Sequence, residues 1–486
     1  MTTAAQRKAA PEQPLDDPGE GVCDAALPSL AGFAAMAELH ALGDASQPMV
    51  AAPEAMAAAQ RSHAALLAFL SEHPERRIYG IHTYYGADIE NPRDPADWQR
   101  QQEELLRYLH VGLGAPLPGR VVRRALRIQA RKALQGCSAV HPETIEGLIT
   151  LSNGAALPLV PCYGSLGASG DLVPMAHAIA PVIHGLGVKG PRDVLGLVNT
   201  NAMMSALAVE LFAETLALLE GACRVTALAS LALGLDEEFC AGGTLAINPA
   251  HHRNREAGMM IAGARRQFLA RHGALPLAPS GDSAPQPRYS IRCAPQVFGN
   301  ALSQLHFAAE RISAEALSVS DNPIIADADS GGAIAIAHGG LFYTAGLATA
   351  ADQMLDVVCK CAEVLNRQTF LLVDPAQSGG LPRNLETAPG DHVKGIHQLV
   401  NALEQSLRAG GVPARNMTAP AEGYNQDIVP GSMAALLNLG ERIGIARELT
   451  RGAAFIAERG ARLRHGLPIP GALALASWSA RPRAAA

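Results

Sequence analysis

Apolar residues recur along this chain at spacings of three and four rather than two, over stretches far longer than a strand. The pattern predicts helices over 97–111, 120–134, 173–186, 200–234, 296–318, 343–371, 393–409 and 431–463. In 120–134, Arg120, Arg123, Arg124, Arg127 and Arg131 form one stripe, with Val122, Ala125, Leu126 and Ala133 opposite. Helices as long as 200–234 and 431–463 bury their apolar faces most simply against one another. The expected fold class is therefore mainly α, a long-helix bundle with its active site on loops. The division expected is a disordered tail at 1–25, an N-terminal helical domain at 26–225, a long-helix bundle domain at 226–465 and a C-terminal tail at 466–486, loose from Trp478 onward.

Composition narrows the function. Hydrophobic residues are 48% of the 486 positions and charged residues 17%, enough for a large core. A net charge of -6 leaves no basic face for nucleic acid or an anionic membrane. The most apolar stretch, 201–235, carries Glu210, Glu214, Glu220 and Arg224, which suits a buried bundle helix rather than a membrane span. No apolar signal core follows Arg7 and Lys8. The eight cysteines are scattered, and Cys359 and Cys361 lack a second pair at metal-ligand spacing. Reduced thiols, no metal, a cytoplasmic location and a small-molecule substrate are the expectations.

Polar, glycine-rich clusters interrupt the helices at 79–86 (YGIHTYYG), 164–171 (GSLGASGD), 286–296 (QPRYSIRCAPQ), 321–323 (DNP), 338–342 (HGGLF) and 422–427 (EGYNQD). Loops on a rigid frame are where catalytic groups concentrate. In 164–171, three glycines permit a tight backbone, and Asp171 is placed to cap the helix that follows, with Pro174 in its first turn.

The run from Pro161 to His177 (PCYGSLGASGDLVPMAH) resembles the signature of the histidine and phenylalanine ammonia-lyase family, which also holds tyrosine lyases and aminomutases. The likeness extends over roughly residues 30–465. Tyr79-Gly80 with Thr83 and Gly86, Leu197-Val198-Asn199, Gln286 with Tyr289 and Arg292, Asn322 in Asp-Asn-Pro, Phe342 in His-Gly-Gly-x-Phe, and Gln426 in Asn-Gln-Asp all fall in the family's order.

The resemblance implies that Ala168-Ser169-Gly170 cyclises and dehydrates to a methylidene-imidazolone (MIO), an electrophile for the substrate amine. Tyr79 is then the candidate base; a phenol starts near pKa 10, so nearby positive charge is expected to lower it. Arg292 would grip the substrate carboxylate through its planar fork. Tyr289 would assist proton handling, Asn199, Gln286, Asn322 and Gln426 would supply hydrogen bonds, and Phe342 would pack near the ring. A homotetramer whose active sites draw on three subunits is also implied.

Ring choice is read less directly. Before Gly112-Leu113-Gly114 the family places its ring-reading pair, here Tyr108-Leu109, and Leu109 favours a phenyl-type ring over imidazole. Lys394 and Glu422 stand where plant-type phenylalanine lyases carry a Lys and Glu pair. The chain departs from the family pattern at His82, Tyr84-Tyr85, Thr200-Asn201 and Leu341. With Tyr108 and His110, the polar groups His82 and Tyr84 are candidates to serve a hydroxylated or heteroaromatic ring. Four readings stay open: elimination from a phenylalanine- or tyrosine-like amino acid, elimination from histidine or a derivative such as its betaine, a 2,3-aminomutase, and a non-catalytic helical scaffold.

Overall fold

The computed structural model describes residues 30–274, 286–327 and 334–479. The tail expected at 1–25 lies outside them. The helices of eight or more residues are α1 (Ala34–Ala41), α2 (Pro53–Glu72), α3 (Trp98–Leu109), α4 (Gly119–Ala133), α5 (Pro142–Asn153), α6 (Leu172–Leu186), α7 (Ala202–Ala232), α8 (His252–His272), α9 (Ala294–Leu317), α10 (Ala345–Val373), α11 (Lys394–Ala409) and α12 (Ser432–Arg464). Two antiparallel strand pairs complete it: β1 (Leu113–Pro116) with β2 (Pro161–Tyr163), and β3 (Ile324–Asp327) with β4 (Ile334–Ala337).

The mainly α architecture is as expected, and α7 is its axis. It packs against α4, α8, α9, α10 and α12, while α11 lies on α12. Its Ala-, Leu- and Met-rich sequence presents no polar face, so it is buried on all sides. By length and composition it is also apolar enough to cross a membrane, but it is the core of this bundle. Because α7 runs unbroken through position 225, the boundary expected at 225/226 falls inside the helix that joins the two halves. One hydrophobic core reaches from Met36 to Leu473. The segment from 466, expected as a tail, packs back as far as it is described: Leu473 is buried and Trp478 meets Phe455 edge to face.

The middle of the arginine stripe of α4, Arg123, Arg124 and Arg127, is buried, while Arg120 and Arg131 at its ends reach solvent. Arg124 and Arg127 are each 1% exposed. Arg124 donates to the carbonyls of Leu39 and His40, and Arg127 to those of Leu42 and Asp44. Helix α1 ends in this segment, and the last carbonyls of a helix lack intrahelical donors, so the guanidinium groups supply them. Glu210 of α7 balances the charge at 3.1 Å from Arg124. The seven described cysteines are free thiols, and no group of three potential metal ligands occurs among the described residues.

Candidate active site

Four long helices begin around the loop Gly167–Asp171: α6 leads directly out of it, and α7, α10 and α12 are tied to it by hydrogen bonds. Gly167 O accepts from Thr344 N at 3.3 Å and Thr344 Oγ1 at 3.0 Å, immediately before α10. Thr344 in turn is held by Ser432, the first residue of α12, whose Oγ donates to Thr344 O at 2.8 Å. Asp171 Oδ2 accepts from Met204 N in the first turn of α7 at 2.9 Å. Asp171 thus caps α7 rather than its own helix, contrary to the sequence expectation. Helix starts carry partial positive charge, and four of them make this loop a place where electron density is withdrawn. Burial pushes the Asp171 carboxyl up to about 7.

Within the loop, Gly170 has φ +72°. A Cβ there would collide with the Thr200 backbone, so both conformation and space demand glycine. Asp171 N donates to Thr200 O at 2.5 Å, which locks this approach. Ser169 is gripped from two sides: Asn199 Nδ2 donates to its carbonyl at 2.8 Å, and Gln426 Nε2 to its hydroxyl at 2.9 Å. Ser165 Oγ donates to Gly170 O at 3.0 Å.

Tyr79 packs against the central core, while its neighbours Ile78 and Ile81 belong to a separate small core with Leu66, Phe69, Ala139 and Ile325. The Tyr79 hydroxyl accepts from Gly86 N at 3.0 Å, and its own N–H donates to His338 Nε2 at 3.2 Å. Glu422 joins the two loops, its Oε1 accepting from Ala87 N at 3.3 Å. Gly86, at φ +59°, has no room for a Cβ beside that carboxylate. The Tyr79 phenol is raised, not lowered: burial pushes it up, the Gly86 N–H opposes, Glu422 adds to the rise, and Arg192 acts downward. The expected lowering by positive charge does not occur within one chain.

Tyr108 is 51% exposed, yet burial raises its hydroxyl, with Tyr85, Tyr79 and Glu422 adding to the rise. Tyr108 thus stands within electrostatic reach of Tyr79 and Glu422. Leu109, by contrast, is 7% exposed and packs in the central core. Asn322 is tied to the same region, its Oδ1 accepting from Gly339 N at 3.0 Å next to His338. Phe342 is half-buried in the turn before α10.

Gln286, Tyr289 and Arg292 form a second group. Gln286 accepts from Arg292, whose guanidinium lies 4.5 Å from the Tyr289 ring centroid, and Tyr289 is 70% exposed. Among the described residues, no hydrogen bond or ion pair joins this group to Ser169 or Tyr79. Lys394 is exposed at the start of α11, and no ion pair joins it to Glu422 among the described residues.

The departures also find their places. His82 is buried and accepts from Ile78 N; Tyr84 carries the Arg93 guanidinium at 3.7 Å; His110 stacks on His177 at 3.8 Å. Each of the three has a partner within the chain.

A model of the aromatic amino acid lyase family matches residues 34–190 and 185–480. The chain belongs to the aromatic amino acid lyase family. It is 35% identical over 383 residues to a histidine ammonia-lyase of Gloeobacter violaceus, 74% of this chain and 72% of that one. Against a histidine ammonia-lyase of Rhodospirillum rubrum the figures are 31% over 421 residues, 81% and 79%. A phenylalanine aminomutase of Pantoea agglomerans shares the fold at TM-score 0.78, with 21% identity over 91% of each chain. An ergothionase of Treponema denticola does so at 0.79, with 19% identity over 88% of each.

Several site residues of this family member had no usable signal in the sequence. Arg192, fully buried, donates to Asp321 Oδ1 at 2.7 Å and to the carbonyls of Asn322 and Pro323, fixing the Asp-Asn-Pro turn. Thr344 and Ser432 are unremarkable small polar residues whose role depends on long-range packing. His338 lay within a recognised cluster, but only the fold brings it to Tyr79.

Proposed function

We propose that the chain eliminates ammonia from an aromatic L-α-amino acid, with an MIO formed from Ala168-Ser169-Gly170. The observation that carries this reading is the double grip on Ser169, by Asn199 at its carbonyl and Gln426 at its hydroxyl, beside a residue that only glycine can fill. The site fits the group. The Gly170 nitrogen attacks the Ala168 carbonyl carbon and one water leaves; Ser169 then loses its Cα proton and hydroxyl as a second water. Gln426, donating to that hydroxyl, supports its departure, and the partial positive charge of the four helix starts would make the resulting ring more electrophilic.

The mature ring supplies an electrophilic carbon that makes the amine of a bound substrate a better leaving group. Tyr79 takes the β-proton, its oxygen oriented by the Gly86 N–H. Tyr108 and Glu422 face the aromatic ring. Arg292, with Tyr289 and Gln286, comes from a neighbouring copy in a homotetramer, which accounts for the exposure of Tyr289 and Gln286 in the single chain, and receives the substrate carboxylate bidentately.

Histidine is the first substrate to test. The two relatives named as histidine ammonia-lyases are each more than 30% identical over most of both chains. Leu109, the residue that favoured a phenyl ring, is in the core. Tyr108 and Glu422 offer an imidazole both a donor and an acceptor. Incubation with histidine, phenylalanine and tyrosine, followed by mass spectrometry, should yield ammonia and the imidazole acrylate from histidine at the highest kcat/KM. A β-amino acid as the sole product would favour an aminomutase, and no turnover of any of the three would reject the reading.

A further inference from the structure

Behind Asn199 lies a chamber of about 10 Å³, lined by residues of α4, Ser138, Gly196 and the Ser320–Asp321 turn. That is about the least volume that admits one water. Four of its lining residues, Gln129, Ser138, Asn199 and Asp321, are each more than nine-tenths buried. Each leaves one polar atom without a partner: Gln129 Oε1, Ser138 Oγ, Asn199 Oδ1 and Asp321 Oδ2. Orphaned buried polar atoms are uncommon, and four around one small chamber require a common explanation.

Their other atoms are committed. Gln129 Nε2 donates to Gly196 O at 2.9 Å, Asn199 Nδ2 to Ser169 O at 2.8 Å, and Asp321 Oδ1 accepts from Arg192 at 2.7 Å and from Asn322 N at 2.7 Å. Lys132, which lines the same chamber, already donates to Asn201 Oδ1, Glu315 O, Ser318 O and Ser320 Oγ at 2.6–3.0 Å. Three orphans are acceptors and the fourth is a hydroxyl. One water can accept from the Ser138 hydroxyl and donate its two hydrogens to two of the three acceptors, which engages three of the four orphaned atoms. A metal cation would have to sit beside the Lys132 ammonium, which disfavours it.

We propose that this chamber is a binding site for one internal water, and that the water keeps the Asn199 amide turned with its nitrogen on the Ser169 carbonyl. With the amide reversed, two oxygens would face each other at that carbonyl. The water and the four polar atoms around it are thus positioning groups for the Ala168-Ser169-Gly170 loop; only this second half of the proposal rests on the cyclisation reading above.

A high-resolution crystal structure of the full chain tests the first half. One solvent peak at about 2.6–3.2 Å from at least three of the four atoms is expected. An empty chamber, or an anomalous peak there after soaking in a rubidium or thallium(I) salt, overturns it. Ser138→Ala gives an independent reading. If the hydroxyl bonds a water, its removal lowers the thermal midpoint; an unchanged or raised midpoint means the hydroxyl had no partner and overturns the site. Ser138→Val fills the chamber and is expected to cut, several-fold, the fraction of chain that has lost two waters at a fixed time after synthesis. A folded Ser138→Val chain with an undiminished fraction overturns the positioning role. A wild-type chain that never loses the two waters would reject cyclisation while leaving the crystallographic outcome to stand on its own.

Discussion

Gln426 Nε2 lies 2.9 Å from Ser169 Oγ, a contact made across 257 positions of chain and held by the starts of α6 and α12. It aims a donor at the oxygen that must leave as water. Gln426→Leu removes the donor while keeping the bulk. The expected intact mass is a mixture enriched in chain lighter by one water only, where the wild type is lighter by two. Complete loss of both at the wild-type rate would mean that Gln426 does not act on the hydroxyl.

Tyr79 is expected to act as base without taking part in ring formation. Tyr79→Phe should retain the two-water mass loss and lose about 10²–10⁴-fold in kcat, the range for a positioned proton acceptor. Because burial raises this phenol, the wild-type rate should climb with pH through the alkaline range as Tyr79 ionises. A Phe variant with the same climb would assign the base elsewhere.

Arg292→Lys keeps the charge but loses the planar fork. A loss of about 1.5–3 kcal/mol in transition-state binding is expected, read as kcat/KM, with the mass unchanged. Equal kinetics would make the Arg292, Tyr289 and Gln286 group purely structural. Light scattering on the same samples should give a tetramer, and an active monomer would contradict the proposed supply of Arg292 by a neighbouring copy.

Arg459, fully buried in α12, donates to Asp391, Thr387, Leu385 O and Leu473 O, and so fastens the 385–391 loop and the C-terminal segment to the bundle. Arg459→Met should destabilise by about 1–3 kcal/mol, the cost of leaving the buried carbonyls of Leu385 and Leu473 without their donor. The Arg459 hydrogen bond holds the Asp391 carboxyl well below the usual carboxylate range. A depressed carboxylate stabilises the fold above its unfolded pKa, near 4, and that contribution fades as pH falls towards the folded value. The gap in thermal midpoint between wild type and Asp391→Asn should therefore be widest at pH 7, smaller at pH 3 and smaller again at pH 2. A gap that stays constant would exclude the ion pair as its source.

The long helices were legible because their apolar spacing persists for many turns: 431–463 became Ser432–Arg464, and 343–371 became Ala345–Val373. What periodicity could not reveal is which polar residues are buried. The arginine stripe of α4 has the pattern of a wet face, but its guanidinium groups close the end of α1. Nor could periodicity reveal local partners: His82 accepts from Ile78 N and His110 stacks on His177. Motif residues such as Ser169, Asn199 and Gln426 were found from local strings, and the fold brings them together. Arg192, Thr344 and Ser432 hold that arrangement through contacts spanning 88–177 positions in sequence, where no local signal reaches.

The most direct test of the account is the intact mass of the purified chain, measured beside Ser169→Ala and paired with turnover of histidine. The account predicts a wild type lighter than its sequence by two waters, and a Ser169→Ala chain at full mass that is folded but inactive. A wild type of unmodified mass that eliminates ammonia at full rate would contradict it.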